Sequence, residues 1–299
     1  MAVLRTESTF QSYFNLRTLP FWAIHLGAIA GVVALGLSWT GVLLALASYV
    51  IRMLFVMAGY HRYFSHRTFA TSRWFQFVLA IASQSGAQRG VLWWAVRHRE
   101  HHRHADQEQD LHSPVRMGFF WSHMGWMLSS RYDETDLRKV SDLAKFPELR
   151  VLNALPHLPV VALALGFYLL GGVHALVWGF LVSTLMVLHG TFTINSLSHL
   201  YGKRRYRSSD TSRNNWVLAA LTMGEGWHNN HHYYQSSANQ GFFWWEFDLT
   251  MLFLRLLERV GLIWNLRRAP HHVVEGRRRR GHPVTELVGV DQSEVLTQL

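Results

Sequence analysis

Two long stretches of the chain, over 20–51 and 156–202, contain no Asp, Glu, Lys or Arg and are dominated by apolar side chains. Each stretch is long enough to cross a hydrocarbon core of about 30 Å twice, because one helical pass needs about 20 residues. Turn-forming residues interrupt both stretches near their midpoints, at 38–41 and 171–174. The pattern therefore predicts two hairpins of membrane helices, with the four helices over 20–38, 41–60, 157–171 and 176–198.

The positive charges lie almost entirely outside these helices, in the N-terminal arm, in 61–155 and after residue 199. Because segments rich in Lys and Arg stay on the cytoplasmic side of a membrane, we expect both termini and the segments 61–155 and 199–269 to be cytoplasmic. The predicted fold is an all-α membrane domain over 1–269 with a helical cytoplasmic cap. The basic residues 270–299 are predicted to form a flexible tail. The expected location is a bacterial inner membrane, or the endoplasmic reticulum in a eukaryote.

Composition restricts the chemistry further. The absence of cysteine excludes disulfides, thiolate metal ligands and a cysteine nucleophile, so any metal must bind through nitrogen or oxygen. The net charge of +10 follows from the predicted topology and also suits a basic face that attracts CoA phosphates, anionic lipid heads or an acidic electron carrier. We expect a lipid bilayer, and no nucleic acid, as a partner. The aromatic segments 74–95 and 115–128 are predicted to lie in the membrane interface.

Nine of the nineteen histidines, together with one asparagine, form a pattern at the cytoplasmic ends of the predicted helices. They are His61, His66, His98, His101, His102, His199, His228, His231, His232 and Asn195. Residues three and four apart share a helix face, so we expect each His-x-x-His-His group to aim its imidazoles at one point. His61 and His66 are five apart and would diverge on a regular helix, which predicts a bend or a helix end between them.

The number of these histidines indicates more than one metal ion. Imidazole suits zinc, copper, iron and nickel, but a catalytic zinc takes about three protein ligands and a structural zinc about four. Nine histidines and an asparagine fit two metals of five or six ligands each, and two iron ions that activate dioxygen are the natural candidates. Four carboxylates are candidates for orienting the imidazoles, with ordinary surface charges as the alternative. They are Glu100, Asp106, Asp110 and Glu225.

The ordered motifs resemble the stearoyl-CoA (delta-9) desaturase family of membrane fatty acyl desaturases. The resemblance rests on the segments 61–68, 98–102, 110–114, 118–126, 195–202 and 224–232. It implies that the nine histidines ligate two irons and that Asn195 contacts one of them through a water. It also implies removal of two hydrogens from adjacent methylenes with O2 and two electrons, giving a cis delta-9 double bond. An acyl-CoA is the first expected substrate.

The family resemblance leaves the substrate contacts more open. Ala45 and Tyr49 are expected near the closed end of an acyl tunnel, and His189 is a candidate for lining it. Arg97 stands where animal acyl-CoA enzymes usually carry an acidic residue, so head-group contacts are expected to differ and acyl groups on lipid or carrier protein stay open. No His-Pro-Gly-Gly motif follows residue 250, so we expect electrons from a separate protein such as ferredoxin, or cytochrome b5 with its reductase.

Two other classes of protein share some of these features. Membrane di-iron hydroxylases of the alkane and sterol types carry similar histidine sets. The gap between His61 and His66 and the Asn195/His199 element favour desaturation. A metal transporter would hold its ligands near the membrane midplane, whereas these histidines lie at the cytoplasmic ends of the predicted helices.

Overall fold

The structure, a computed structural model, describes residues 13–276, and nearly all of its regular structure is helical. The described α-helices of six or more residues are α1 (Leu19–Leu35), α2 (Trp39–Phe55), α3 (Arg73–Gln84), α4 (Val91–His104), α5 (Pro147–Ala154), α6 (Leu158–Ala175), α7 (Ser183–Leu200), α8 (Trp216–Leu221), α9 (His228–Tyr233) and α10 (Leu249–Arg259). The prediction of a mostly helical chain is confirmed.

Shorter elements join these helices. π-helical segments cover Val56–Ser65, Trp121–Gly125 and Leu176–Val182. Single turns of α- or 3-10 helix cover Pro114–Met117, Trp126–Leu128, Ser130–Tyr132, Leu137–Val140, Ser141–Ala144 and His271–Val274. The strands β1 (Ala70–Thr71) and β2 (Ile263–Trp264) pair antiparallel, with Ala70 opposite Trp264. This pair ties the segment after α10 to the segment before α3.

In the described part of the chain, two helical stretches are long and apolar enough to cross a membrane. The first covers Trp39–Ser65, 27 residues, and the second covers Leu158–Leu200, 43 residues. The second helix is broken at Gly171 and Gly172, whose backbone angles are not helical, so it folds back on itself where a turn was predicted. Helix α1 is apolar but has 17 residues.

The apolar helices pack closely through small residues on one side and expose large apolar side chains on the other. A Cβ atom on Gly31 would lie 2.6 Å from Val177, and one on Gly41 would lie 2.5 Å from Trp178. These glycines therefore allow α1 and α2 to contact the π-helical segment Leu176–Val182 directly. The opposite faces expose apolar residues, among them Leu26, Ile29, Val33, Leu43, Leu46, Leu165, Leu169 and Leu170. A continuous apolar exterior of this kind suits contact with lipid.

The main core surrounds the π-helical segment Val56–Ser65, every residue of which is buried. Helices α3 and α4 pack on this segment from two sides. The aromatic segments expected at the membrane interface bury some side chains, among them Leu79, Trp93 and Trp126, and expose Trp74, Phe119 and Phe120. Their location at the membrane interface stays a prediction.

The predicted flexible tail lies mostly outside the described residues. Its first part forms the one-turn helix His271–Val274, in which Val273 is buried. Residues 277–299, like the arm at 1–12, fall outside the described part of the chain.

Candidate metal centre

The nine histidines form two sets whose ring nitrogens converge between the segment Val56–Ser65 and the helices α4, α7 and α9. The five-histidine set consists of His61, His66, His98, His102 and His231, and its ligand atoms all lie within 4.8 Å of one another. The four-histidine set consists of His101, His199, His228 and His232, which meet the same limit. The four-histidine set is fully buried, whereas three members of the five-histidine set are partly buried.

Each His-x-x-His-His group contributes to both sets, so the expectation that a group aims at one point is wrong. On α4, His98 and His102 join the five-histidine set while His101 joins the other. On α9, His228 and His232 join the four-histidine set and His231 joins the five-histidine set. The physical reason is that neighbouring helical residues point about 100° apart, since a turn takes about 3.6 residues. Adjacent histidines therefore face different centres.

The five-residue spacing of His61 and His66 is accommodated by π-helical winding. The His66 N–H donates to the His61 carbonyl at 3.2 Å, the i to i+5 bond of a π-helix. This winding brings residues five apart closer to one face than an α-helix does, so both imidazoles reach the same set. The segment ends at Ser65, so the structure has the predicted helix end, and not a bend, between the two histidines. Gly59 permits the close packing of α3 here, because a Cβ would lie 2.0 Å from the Ser83 Oγ.

Side chains from distant segments fix where the two ligand-bearing helices begin. The Val91 and Trp93 N–H groups at the start of α4 donate to Gln84 Oε1 at 3.0 Å and Asn153 Oδ1 at 2.8 Å. At the start of α9, the N–H groups of Asn229 and Asn230 donate to Asn214 Oδ1. These side-chain oxygens accept hydrogen bonds from N–H groups that have no partner within the helix. They set the rotation of both helices and hence the direction of the histidines.

Four carboxylates hold the Nδ1 atoms of four histidines. The pairs are His101–Asp110 at 3.0 Å, His199–Asp106 at 3.2 Å, His232–Asp210 at 2.8 Å and His61–Glu225 at 2.6 Å. A carboxylate that accepts the Nδ1–H fixes the tautomer and leaves the Nε2 lone pair free for a metal. Four imidazoles are thus oriented toward the two centres.

The carboxylates are held ionised by their surroundings. Burial alone would raise the pKa of Asp110, but the charge and hydrogen bond of His101 keep the pKa of this carboxyl well below its usual value. Burial likewise opposes ionisation of Glu225, but Arg62 and His61 lower the pKa of its carboxyl to about 2. Arg62 is itself 1% exposed and pairs with both Glu225 and Asp248, at 2.8 and 2.9 Å.

The arrangement of ring nitrogens fits metal ions. In the five-histidine set, the Nε2 atoms of His61 and His231 are 3.0 Å apart, and those of His66 and His98 are 2.8 Å apart. In the four-histidine set, the Nε2 atoms of His101 and His232 are buried without a hydrogen-bond partner. Converging lone pairs repel one another and lose hydration, and a cation at the centre of each set removes both costs.

The structure places three of the predicted carboxylates on imidazoles and one elsewhere. Glu100 contacts Arg97 and Lys139, so its carboxylate neutralises cations and orients no histidine in the structure. Asp210 and Asn214 were missed by sequence reasoning. Both lie in a loop with no histidine motif of its own, and only the folded chain brings that loop against α9.

A cleft reaches the centre from the surface between α4, α7 and the segment around Trp126. Its lining consists of Gln88, Trp93, Trp94, Arg97, His98, His112, Trp126, Met127, Thr191, Phe192 and Asn195. Trp94 is stacked between His98 and Tyr60, with ring centroids 4.8 and 5.3 Å apart. Asn195 therefore lies beside the centre and faces the cleft together with a histidine of the five-histidine set. The tryptophans of this lining were not singled out by sequence reasoning.

The other residues predicted to touch substrate lie apart from this lining, except for Arg97. Ala45 packs with Val177 and Trp178. The Tyr49 hydroxyl donates to the Leu221 carbonyl.

His189 lies in a row of hydrogen-bonded histidines. Its Nε2 is 3.0 Å from His25 Nε2, and its Nδ1 is 3.0 Å from His123 Nε2. The rim residue Arg97 contacts Glu100 and the Glu134 carbonyl, so its charge is already partnered.

Comparisons with known proteins agree on one family. The profile of the family described as "Fatty acid desaturase" matches residues 37–250. The chain is 38% identical over 256 residues to the sn-1 stearoyl-lipid 9-desaturase of Anabaena variabilis, covering 85% of this chain and 94% of that protein. It is 38% identical over 254 residues to the protein of the same name from Synechocystis sp., covering 84% and 79%. An acyl-CoA 5-desaturase of Anemone leveillei is 34% identical over 229 residues, covering 75% and 71%.

Proposed function

This chain belongs to the fatty acid desaturase family, as its motifs predicted, and from that premise we propose that it inserts a cis double bond into a saturated acyl chain at a histidine-ligated di-iron centre. The observation that carries the proposal is the division of nine histidines into two converging sets. One set would be a site for a single metal. Two adjacent sets that share the helices α4 and α9 are a site for a pair.

The two sets and their carboxylates assign roles to this chain's residues. The nine imidazoles would hold the irons through the nitrogens that converge, and Asn195 would contact the pair from the cleft. When bound, a pair of irons supplies the oxidising power that removes hydrogen from an unactivated methylene with O2 and two electrons. Asp106, Asp110, Asp210 and Glu225 would orient four of the imidazoles by accepting from Nδ1–H, so that Nε2 faces the centre. The tryptophans of the cleft exclude water around the acyl chain.

The proposed setting is a membrane, with α1, α2, α6 and the continuous segment 176–200 crossing it as two hairpins. Support comes from the two long apolar helices, the break at Gly171 and Gly172, and the apolar exterior. The Lys and Arg residues outside the hairpins support a cytoplasmic location for the termini, for the segments 61–155 and 199–269 and for the metal centre. An acyl chain could then enter the cap directly from the bilayer.

We put a membrane lipid ester ahead of acyl-CoA as the carrier of the acyl chain, and delta-9 as the position. Two of the relatives named above act, by name, on stearoyl-lipid, while the third acts on acyl-CoA. Arg97 also supports a lipid, because its pairing with Glu100 leaves it poorly placed to attract the phosphates of CoA. Acyl-CoA, which the sequence put first, and acyl carrier protein remain the alternatives.

Expression in a host that lacks its own desaturase tests both parts of the proposal. Mass spectrometry should locate delta-9 double bonds in membrane lipids, and a His231→Ala strain should contain none. Hydroxylated lipid without new unsaturation would point to the hydroxylase class. Membranes supplied with labelled stearoyl glycerolipid should give labelled product more rapidly than membranes supplied with labelled stearoyl-CoA. The reverse order would restore acyl-CoA as the substrate.

A further inference from the structure

A file of aromatic rings leads from the candidate metal centre toward the protein surface. It begins at His112, which belongs to neither histidine set and whose ring stacks on His101 with centroids 4.2 Å apart. The ring of Trp126 follows at 5.1 Å from His112, and the ring of Tyr132 follows at 6.3 Å from Trp126. We call His112, Trp126 and Tyr132 the aromatic file.

Further rings widen the inner part of the file. Trp93 stacks on Trp126 with centroids 5.7 Å apart and planes 9° from parallel. Trp94, which stacks on His98 of the five-histidine set, packs against the cluster that Trp93 and Trp126 form with Leu111. The five-histidine set therefore contacts this tryptophan cluster through Trp94, and the four-histidine set reaches it through His112.

Solvent exposure increases along the aromatic file. Trp126 is 6% exposed and Trp93 is 3% exposed, while Tyr132 is partly exposed. The guanidinium groups of Arg97 and Arg131 lie 5.6 and 5.7 Å from the Tyr132 ring. The aromatic file thus joins His101, a buried histidine of the four-histidine set, to a partly exposed phenol that lies beside two guanidinium groups.

Indole and phenol are the aromatic side chains that give up an electron most readily. A centre able to oxidise a methylene will also oxidise its own ligands when the cleft holds no acyl chain. We propose that the aromatic file carries oxidising equivalents away from the metal centre and so protects the histidines during unproductive turnover. This inference rests on the proposed function, because only an oxidising centre needs such a path.

The transfer balances with the reactants of the desaturation reaction. One electron passes from the Tyr132 phenol through Trp126 and His112 to the oxidised centre, which is reduced by one electron. The phenolic O–H bond breaks and its proton goes to water, leaving a neutral tyrosyl radical. Arg131 favours this neutral form, because its charge repels a cationic ring. One electron from the carrier protein that feeds the reaction, with a proton from water, restores the phenol.

The test compares the iron-loaded wild type with Tyr132→Phe and Trp121→Phe during turnover with reductant and O2 but no acyl substrate. Trp121 is a matched control, because it packs against the same tryptophan cluster and its indole N–H donates to the Leu111 carbonyl at 3.0 Å. In the wild type and in Trp121→Phe, peptide mass spectrometry should find oxidation on Trp126 and Tyr132. Rapid-freeze electron paramagnetic resonance should detect a tyrosyl radical in both.

In Tyr132→Phe the tyrosyl signal should be absent, oxidation should move to Trp126 and to ligand histidines such as His101, and inactivation per electron consumed should be several-fold faster. Equal lifetimes and an equal distribution of oxidised residues in all three proteins would overturn the aromatic file. Parallel samples with acyl substrate separate the two proposals. Unsaturated product from all three with no difference in lifetime removes only the aromatic file, whereas no product from the wild type removes the desaturase assignment and the file with it.

Discussion

The two histidine sets lie side by side yet are supported differently. In the four-histidine set, three histidines have their Nδ1 atoms held by aspartates, namely Asp106, Asp110 and Asp210. In the five-histidine set, Glu225 holds His61, while the Nδ1 atoms of His102 and His231 are buried without a hydrogen-bond partner. The smaller set has fewer ligands, of which carboxylates orient three. The larger set has more ligands, of which Glu225 orients one. Substitutions in the two sets should therefore have unequal effects.

The largest effect is expected where the smaller set loses a ligand. His232→Ala leaves three imidazoles at that centre and strands the Asp210 carboxylate in a buried position. We expect loss of one metal per chain and of all desaturation. Elemental analysis of purified protein and lipid analysis of the expressing strain measure the two losses. Full activity in this variant would contradict the assignment of His232 as a ligand.

A smaller effect is expected where only the orientation of a ligand is lost. Asp210→Asn keeps the size of the side chain but no longer holds the His232 tautomer by charge, so metal affinity should fall by about 10–100-fold. Titration with a chelator of known affinity measures the change. Glu100→Gln is the matched control, because Glu100 contacts Arg97 and Lys139 and no imidazole, and its metal affinity should match the wild type.

The smallest effect on metal binding is expected in the larger set. Glu225→Gln no longer fixes the His61 tautomer by charge but leaves five imidazoles in place, so metal affinity should fall by about 10-fold. This variant should lose stability, because Arg62 is buried and keeps only Asp248 as a carboxylate partner. Breaking a buried ion pair costs about 3 kcal/mol. Thermal unfolding of the metal-free protein measures that loss. If metal affinity falls more in Glu225→Gln than in Asp210→Asn, the larger set depends more on carboxylate orientation than the smaller set, contrary to the expectation.

The sequence predicted the helical fold, the break at 171–174 and the residues that converge in the cap, because charge-free runs and histidine spacing are local signals. It did not predict how α4 and α9 divide their histidines, since that division depends on helix rotation. Rotation is fixed by caps such as Asn153 and Asn214, which come from remote segments. The role of Asp210 is also set by long-range packing, and no local pattern marks this residue.

The winding of 56–65 shows the same limit from another direction. The five-residue spacing of His61 and His66 excluded a regular α-helix for a shared site, and the sequence therefore suggested a bend or a helix end between them. A π-helix meets the same requirement while keeping every residue of the segment buried. Spacing alone does not separate these two solutions, because the close contact of Gly59 with Ser83 that stabilises the second one is tertiary.

The most direct test of a centre made of two sets uses two neighbouring residues. His101 and His102 are adjacent in sequence but belong to different sets. Iron analysis and Mössbauer spectroscopy of the wild type should give two irons per chain in different environments. His101→Ala leaves three imidazoles in its set and should lose one spectral component, whereas His102→Ala leaves four in its set and should alter or weaken the other component. A wild type with a single iron, or two variants that affect the same spectral component, would contradict the two-set centre.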